Sequence, residues 1–235
     1  MTTEHTPVPP APQPAAPQPA LRLDRREGRL VDAEGRQFDP ASRTWGAGAA
    51  RAPADLAGVD TVSAATWLQC ETPFRVRVPV GVIGPRDAEP ALCAAAEAVG
   101  EGLARMGVAL LCGGRSGVME AACRGAERAG GVAIGLLPDA DPALANAHVT
   151  LVLATGLGEA RNAIIARASL CLVAVGDSFG TLSEVALGRQ FGKTVIGLEG
   201  AARVSGVLHV GTPREALEQV ARCLLGLAAG GHDRG

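Results

Sequence analysis

Residues 77–120 read RVPVGVIGPRDAEPALCAAAEAVGEGLARMGVALLCGGRSGVME, and their order decides the fold class. A short apolar run (78–83) ends on Gly84-Pro85, an Ala-rich stretch of helical length follows (88–106), and a second apolar run (108–112) ends on Cys112-Gly113-Gly114. Runs that are apolar at successive positions suit strands buried on both faces, and the stretch between them is long enough to return as a helix. The alternation continues downstream. Strands are expected at 132–137, 149–153, 170–175, 194–198 and 206–210, with helices at 116–129, 159–168 and 179–191. A last helix starts at Pro213, where Thr212-Pro213-Arg214-Glu215 reads as a capping box with proline at the first helical position. The expected fold is α/β: an open, doubly wound, mainly parallel, Rossmann-like sheet over residues 76–230.

Upstream the text differs. Residues 1–20 carry seven prolines and no Lys or Arg, the composition of a disordered Pro/Ala-rich tail. Residues 21–75 read as a small appendage, too poor in large apolar side chains for a core of its own. Within it, 29–38 suggests a β-hairpin around a turn ending in Gly35, and 62–68 a short helix.

Composition removes several classes of function. The 235 residues are 47% hydrophobic, with 22 basic against 24 acidic side chains, so no overall charge draws the chain to nucleic acid or an anionic membrane. Two Trp, four Phe and no Tyr are too few for aromatic stacking along a single strand. No apolar run reaches the roughly 18–20 residues of a membrane helix, and no basic-then-apolar start suggests a secretory signal; a cytoplasmic setting is expected. Six cysteines stand singly without a C-x-x-C, and four histidines are scattered, so neither a metal cluster nor a Ser-His-Asp arrangement is expected. Lys193 is the only lysine, and Gly192-Lys193-Thr194 is a helix-to-strand turn, with Leu187 where a Walker A loop needs glycine.

In sheets of this kind ligands bind where strand ends lead into helix starts. Four such junctions stand out. Gly84-Pro85-Arg86-Asp87 offers a tight turn at Gly84 and a possible cap at Asp87. Gly113, Gly114, Arg115 and Gly117 clear side chains away from a helix start, where exposed amides favour an anion and Arg115 adds charge. Arg161 and Asn162 open an otherwise apolar helix, and an arginine there needs an anionic partner. Gly176, Ser178, Gly180 and Thr181 surround a fourth turn, with Glu184 one helical turn on. Each has a plainer reading as well: packing glycines, a solvated arginine, Ser178 as an N-cap and Glu184 as a favourable helix-dipole charge.

Taken together, Cys112-Gly113-Gly114 with 117–121, Arg161-Asn162 and 176–184 resemble a bacterial branch of the Lonely Guy-like (LOG/SLOG) Rossmann superfamily that contains molybdenum cofactor carrier proteins. The resemblance covers about 78–227. It implies a phosphorylated nucleotide-type ligand, either a nucleotide or a molybdopterin-like cofactor, with no other cofactor required. Homodimers or homotetramers are typical of such proteins. In the enzymes of this superfamily an arginine and a glutamate, matching Arg161 and Glu184, support cleavage of the N-glycosidic bond of a nucleoside 5′-monophosphate. The carrier branch binds a phosphorylated pterin without hydrolysis. The sequence departs from the enzyme pattern: Val175 replaces a proline, Asp177-Ser178 interrupts the glycine-rich loop, Glu120 takes the place of a small residue and Asn162 that of a basic one. These departures favour carrying over hydrolysis. The label lysine decarboxylase, common among relatives, finds no support, because Lys193 lies away from every candidate loop.

Overall fold

Along the strand Val80–Ile83, Val80 and Val82 belong to one apolar cluster and Ile83 to another. The strand Leu172–Val175 divides the same way: Val173 and Val175 join the first cluster, Leu172 and Ala174 the second. A two-residue period buried on both sides requires a helical layer on each face. The computed structural model has this arrangement. It describes residues 20–47 and 56–228; the tail expected over residues 1–20 lies, except for its last residue, outside the described residues.

In chain order the elements are β1 (Leu21–Asp24), β2 (Arg29–Val31), β3 (Phe38–Asp39), β4 (Thr44–Trp45), β5 (Ala57–Val59), α1 (Thr61–Cys70), β6 (Val80–Ile83), α2 (Pro90–Arg105), β7 (Leu110–Cys112), α3 (Val118–Arg128), β8 (Ala133–Leu137), β9 (Leu151–Ala154), α4 (Asn162–Ala168), β10 (Leu172–Val175), α5 (Phe179–Gln190), β11 (Val195–Leu198), β12 (Leu208–His209) and α6 (Pro213–Leu224). Single 3-10 turns occupy Pro142–Leu144 and Gly158–Arg161.

Seven strands form the main sheet in the order β12-β11-β10-β6-β7-β8-β9, with every pairing parallel. The chain builds outward from β6 to β9, then returns to lay β10 on the other side of β6 and continues to β12. That reversal leaves a crevice between the loops leaving β6 and β10, the topological switch point of the sheet. Helices α2, α3 and α6 cover one face through Val99, Leu103, Ala122 and Val220; α4 and α5 cover the other through Ile165, Ala166 and Val185. The close approach of α2 and α3 depends on two glycines: a Cβ on Gly100 would strike the Ala122 carbonyl, and one on Gly125 the Glu97 carbonyl.

The open, doubly wound parallel sheet is as expected; its details differ in three ways. The helix expected at 159–168 is a 3-10 turn followed by α4. The strand expected at 149–153 is β9, apolar but at the sheet edge, with Leu151 and Leu153 exposed instead of covered. The hairpin expected over 29–38 is present in reduced form, as β2 and β3 flanking a turn that a single antiparallel bridge closes. Asp32 holds that turn, accepting from Arg36 N (2.8 Å) and Arg36 Nε (2.6 Å), and the bridge joins Val31 to Gln37. β2 pairs mainly with β1, which also pairs with β5, both antiparallel, because Leu21 and Leu23 bury beside Leu30 in the first cluster. β3 pairs with β4.

This N-terminal region shares the core of the main sheet. Phe38, Trp67 and Leu68 lie in the same cluster as α6, and Trp45 Nε1 donates to the Leu225 carbonyl at 2.8 Å. Asp60 caps α1 by accepting from Ser63 N, and Thr212 and Glu215 form the expected capping box of α6. Among the described residues no helix is long and apolar enough to cross a membrane. All six cysteines are free thiols.

Candidate functional site

At the switch point the turn after β6 and the turn into α5 face each other across a cavity of about 690 Å³. Gly84, Pro85, Arg86 and Asp87 form one wall, and Asp177, Ser178, Phe179, Gly180, Thr181, Ser183 and Glu184 the other. Glu159, Arg161, Asn162 and Met119 complete the lining. Gly84 is required here: a Cβ at this position would meet Val118 Cγ1 at 2.5 Å and the Val175 carbonyl at 2.6 Å, so only glycine lets β6 turn this close to β10 and α3.

The floor is charged. Arg161, 4% exposed, points Nη1 at Glu184 Oε1 (3.2 Å), and Glu184 is itself 6% exposed. Burial pushes the Glu184 carboxyl up to about 7; Arg161 opposes the shift, and Glu159 adds to it as a neighbouring like charge. Desolvation therefore outweighs the ion pair, and near neutral pH Glu184 exchanges its proton. Arg161 Nε and Asn162 Oδ1 are buried without a partner. Asn162 Nδ2 donates to Ser183 Oγ (2.9 Å), and Ser183 Oγ to the Gly180 carbonyl (2.7 Å), which ties α4 to the first turn of α5. Ser178 caps α5, its Oγ accepting from Thr181 N at 3.1 Å and lying 2.8 Å from Thr181 Oγ1. Phe179, 95% exposed, projects from the mouth.

Of the residues singled out from sequence, Gly84, Arg161, Asn162, Ser178, Gly180, Thr181 and Glu184 line this one cavity. The glycine-rich turn after β7 does not. Gly113 is buried behind Arg161, where a Cβ would come within 2.5 Å of Nη2; its missing side chain is the space the guanidinium occupies. Gly114 adopts φ 69° and donates its N–H to Cys112 Sγ at 3.3 Å. Arg115 is held by Asp139 at 2.5 Å. Gly117 borders a second, shallower recess with Arg86, Asp87, Ala88 and Glu89. Gly176, at φ 70°, packs on Leu92. Asp87 does not cap α2, whose N-cap is Glu89, with Pro90 opening the helix.

Arg86, Asp87, Met119, Glu159, Asp177, Phe179 and Ser183 also line the cavity but were not among the expected binding residues. Arg86 and Asp87 carried a signal, because they directly follow a glycine at a strand end. Met119 carried only its place in the 117–121 motif: it reaches the cavity from within α3, at a distance only the packing sets.

A family model described as the SLOG cluster4 family matches residues 77–222. An uncharacterized protein of Archaeoglobus fulgidus is 38% identical over 138 residues, 59% of this chain and 91% of that protein. Among solved structures, the molybdenum cofactor binding protein of the phototrophic bacterium Rippkaea orientalis is 36% identical, with a TM-score of 0.58 over 62% of this chain and 96% of that one. The molybdenum cofactor carrier protein of Chlamydomonas reinhardtii is also 36% identical, with a TM-score of 0.58 over 63% of this chain and 99% of that one.

Proposed function

The chain belongs to the SLOG cluster4 family, and on that premise we propose that it binds and carries a phosphorylated small molecule of nucleotide type, a nucleotide or a molybdopterin-like cofactor, in the cavity between the β6 and β10 loops. The observation that carries this reading is the convergence of Arg161 and the first turn of α5 on one cavity at the switch point, in a chain that is 36% identical, over 62–63% of its length, to a molybdenum cofactor binding protein and a molybdenum cofactor carrier protein. The cavity's size falls within the roughly 300–1,000 Å³ typical of small-molecule sites.

The residues have distinct tasks. The phosphate sits at the start of α5, where backbone amides and the helix dipole favour negative charge and Gly180 puts no side chain in the way. The Ser178 and Thr181 hydroxyls border that position. Arg161 supplies positive charge from the floor, and Glu184 sets how much of that charge is free. Protonated, Glu184 leaves Arg161 for the anion; ionised, it competes. Binding is therefore expected to tighten as pH falls from 8 to 6, with proton uptake on binding. Calorimetry with AMP, GMP, cyclic nucleotides and molybdopterin tests the reading, alongside mass spectrometry of small molecules released from the purified protein. No binding below millimolar concentration by any of them overturns it.

The Arg161–Glu184 pair also favours a second reading, phosphoribohydrolase cleavage of a nucleoside 5′-monophosphate to free base and ribose 5-phosphate. Glu184 would stabilise the positive charge developing on the ribose, and Arg161 would position the phosphosugar. Release of free base that disappears in Glu184→Gln supports hydrolysis; release that survives the substitution removes Glu184 from it. A homodimer or homotetramer belongs to both readings and is supported by apolar side chains left in solvent, Leu151 and Leu153 on the β9 edge among them. Light scattering tests it.

A further inference from the structure

Two charged groups span the mouth of the cavity. Arg86, in the turn after β6, donates from Nη2 to Glu159 Oε1 at 3.1 Å, across 73 residues of sequence. Both line the cavity. The contact is a single hydrogen bond, and the two side chains remain 45% and 68% exposed, so water and salt compete with it readily.

The neighbouring cations are less accessible. Arg115 is held by Asp139, and Arg161 is buried against Glu184. Among the described residues that line the cavity, Arg86 is the exposed guanidinium. Its backbone is anchored. Val118 N donates to the Pro85 carbonyl at 3.1 Å, Ser116 Oγ reaches the Arg86 carbonyl at 3.4 Å, and a Cβ on Gly117 would collide with both carbonyls. A fixed backbone with a loosely held head group leaves the side chain as the part that moves.

We propose that Arg86 is a ligand-binding residue held in reserve by Glu159: a phosphate monoester entering the cavity displaces the Glu159 carboxylate and takes the guanidinium for itself. A phosphate presents two oxygens to the guanidinium fork where Glu159 engages only one nitrogen, so the exchange favours the dianion. Glu159 thereby becomes a specificity residue. A neutral ligand cannot displace it, and a phosphorylated one can. This rests on the phosphorylated-ligand reading above and adds to it which side chains select for the phosphate.

The test is calorimetry on wild type, Arg86→Gln, Glu159→Gln and the double variant. The probes are AMP, GMP and molybdopterin, with adenosine and guanosine as phosphate-free controls. Arg86→Gln is expected to weaken phosphorylated probes 10- to 30-fold, and Glu159→Gln to tighten them 3- to 10-fold. In the double variant the gain from Glu159→Gln disappears, and the controls move less than 2-fold throughout. Both residues are exposed, so melting temperatures serve as the folding control and should stay close to wild type. If the phosphorylated probes bind wild type and Glu159→Gln equally well, the exchange is overturned while the ligand reading stands. The same holds if the double variant keeps the gain. If none binds wild type, both fall.

Discussion

Two glycine-rich turns lead from strand ends into helices, 112–118 after β7 and 175–181 after β10, and the fold uses them in opposite ways. The first closes on protein. Gly113 makes room for the Arg161 guanidinium, and Gly117 for the carbonyls of Pro85 and Arg86. The second packs Gly176 on Leu92 but opens on solvent at its helix end. Gly180 has only Ser178 Oγ near its missing Cβ, at 3.8 Å, and its turn walls the cavity. A glycine at a strand-to-helix junction thus marks a close approach without saying whether a ligand or the protein's own chain comes near. Arg161 joins the two turns, with Gly113 behind it and Glu184 of α5 in front.

That contrast is open to experiment. Arg161→Met should have the largest effect, because it strands Glu184: a loss of about 3–5 kcal/mol at pH 8, shrinking toward pH 5.5 as the carboxyl takes up its proton. Urea titrations at the two pH values measure it. Glu184→Gln removes a pH dependence. The folded-state pKa lies above the unfolded one, near 7 against 4.5, so between these values the folded chain holds a proton that the unfolded chain has lost. Wild type should accordingly lose on the order of 3 kcal/mol from this residue as pH rises from below 4.5 to above 7, and Glu184→Gln should lack that slope.

Gly117→Ala is the direct probe of the closed turn. At φ 68° and pressed on two carbonyls, it combines a left-handed penalty with overpacking, and a cost of about 2–4 kcal/mol is expected in denaturant titrations. Gly180→Ala probes the open turn and should give the smallest change in stability. Its Cβ meets nothing closer than ordinary contact and it lies in a helix, so stability should hold or rise by up to about 1 kcal/mol while affinity for a phosphorylated ligand falls. Equal destabilisation by the two alanines would erase the distinction between the turns.

Much of the frame was readable in advance. The four buried strands at the sheet centre, β6, β7, β10 and β11, announce themselves as continuous apolar runs because helices cover both their faces. β9 reads the same way and is exposed, since an apolar run does not reveal whether its sheet continues beyond it. Of the site, Arg161, Glu184 and the 178–181 turn were legible from charge in apolar surroundings and from capping chemistry. Glu159 and Phe179 were not, because an exposed acid or aromatic near a loop is unremarkable until the opposite wall is in place.

Local chain chemistry determined the alternation of strands and helices, the caps of α5 and α6, and where turns free of side chains must fall, since each depends on residues within a few positions of one another. Tertiary structure decided the strand order, the pairing of Arg161 with Glu184 across 23 residues and of Arg86 with Glu159 across 73, and which glycines face a cavity. Those outcomes depend on how β10 returns beside β6, a long-range packing choice summed over the whole core that no short stretch of sequence encodes.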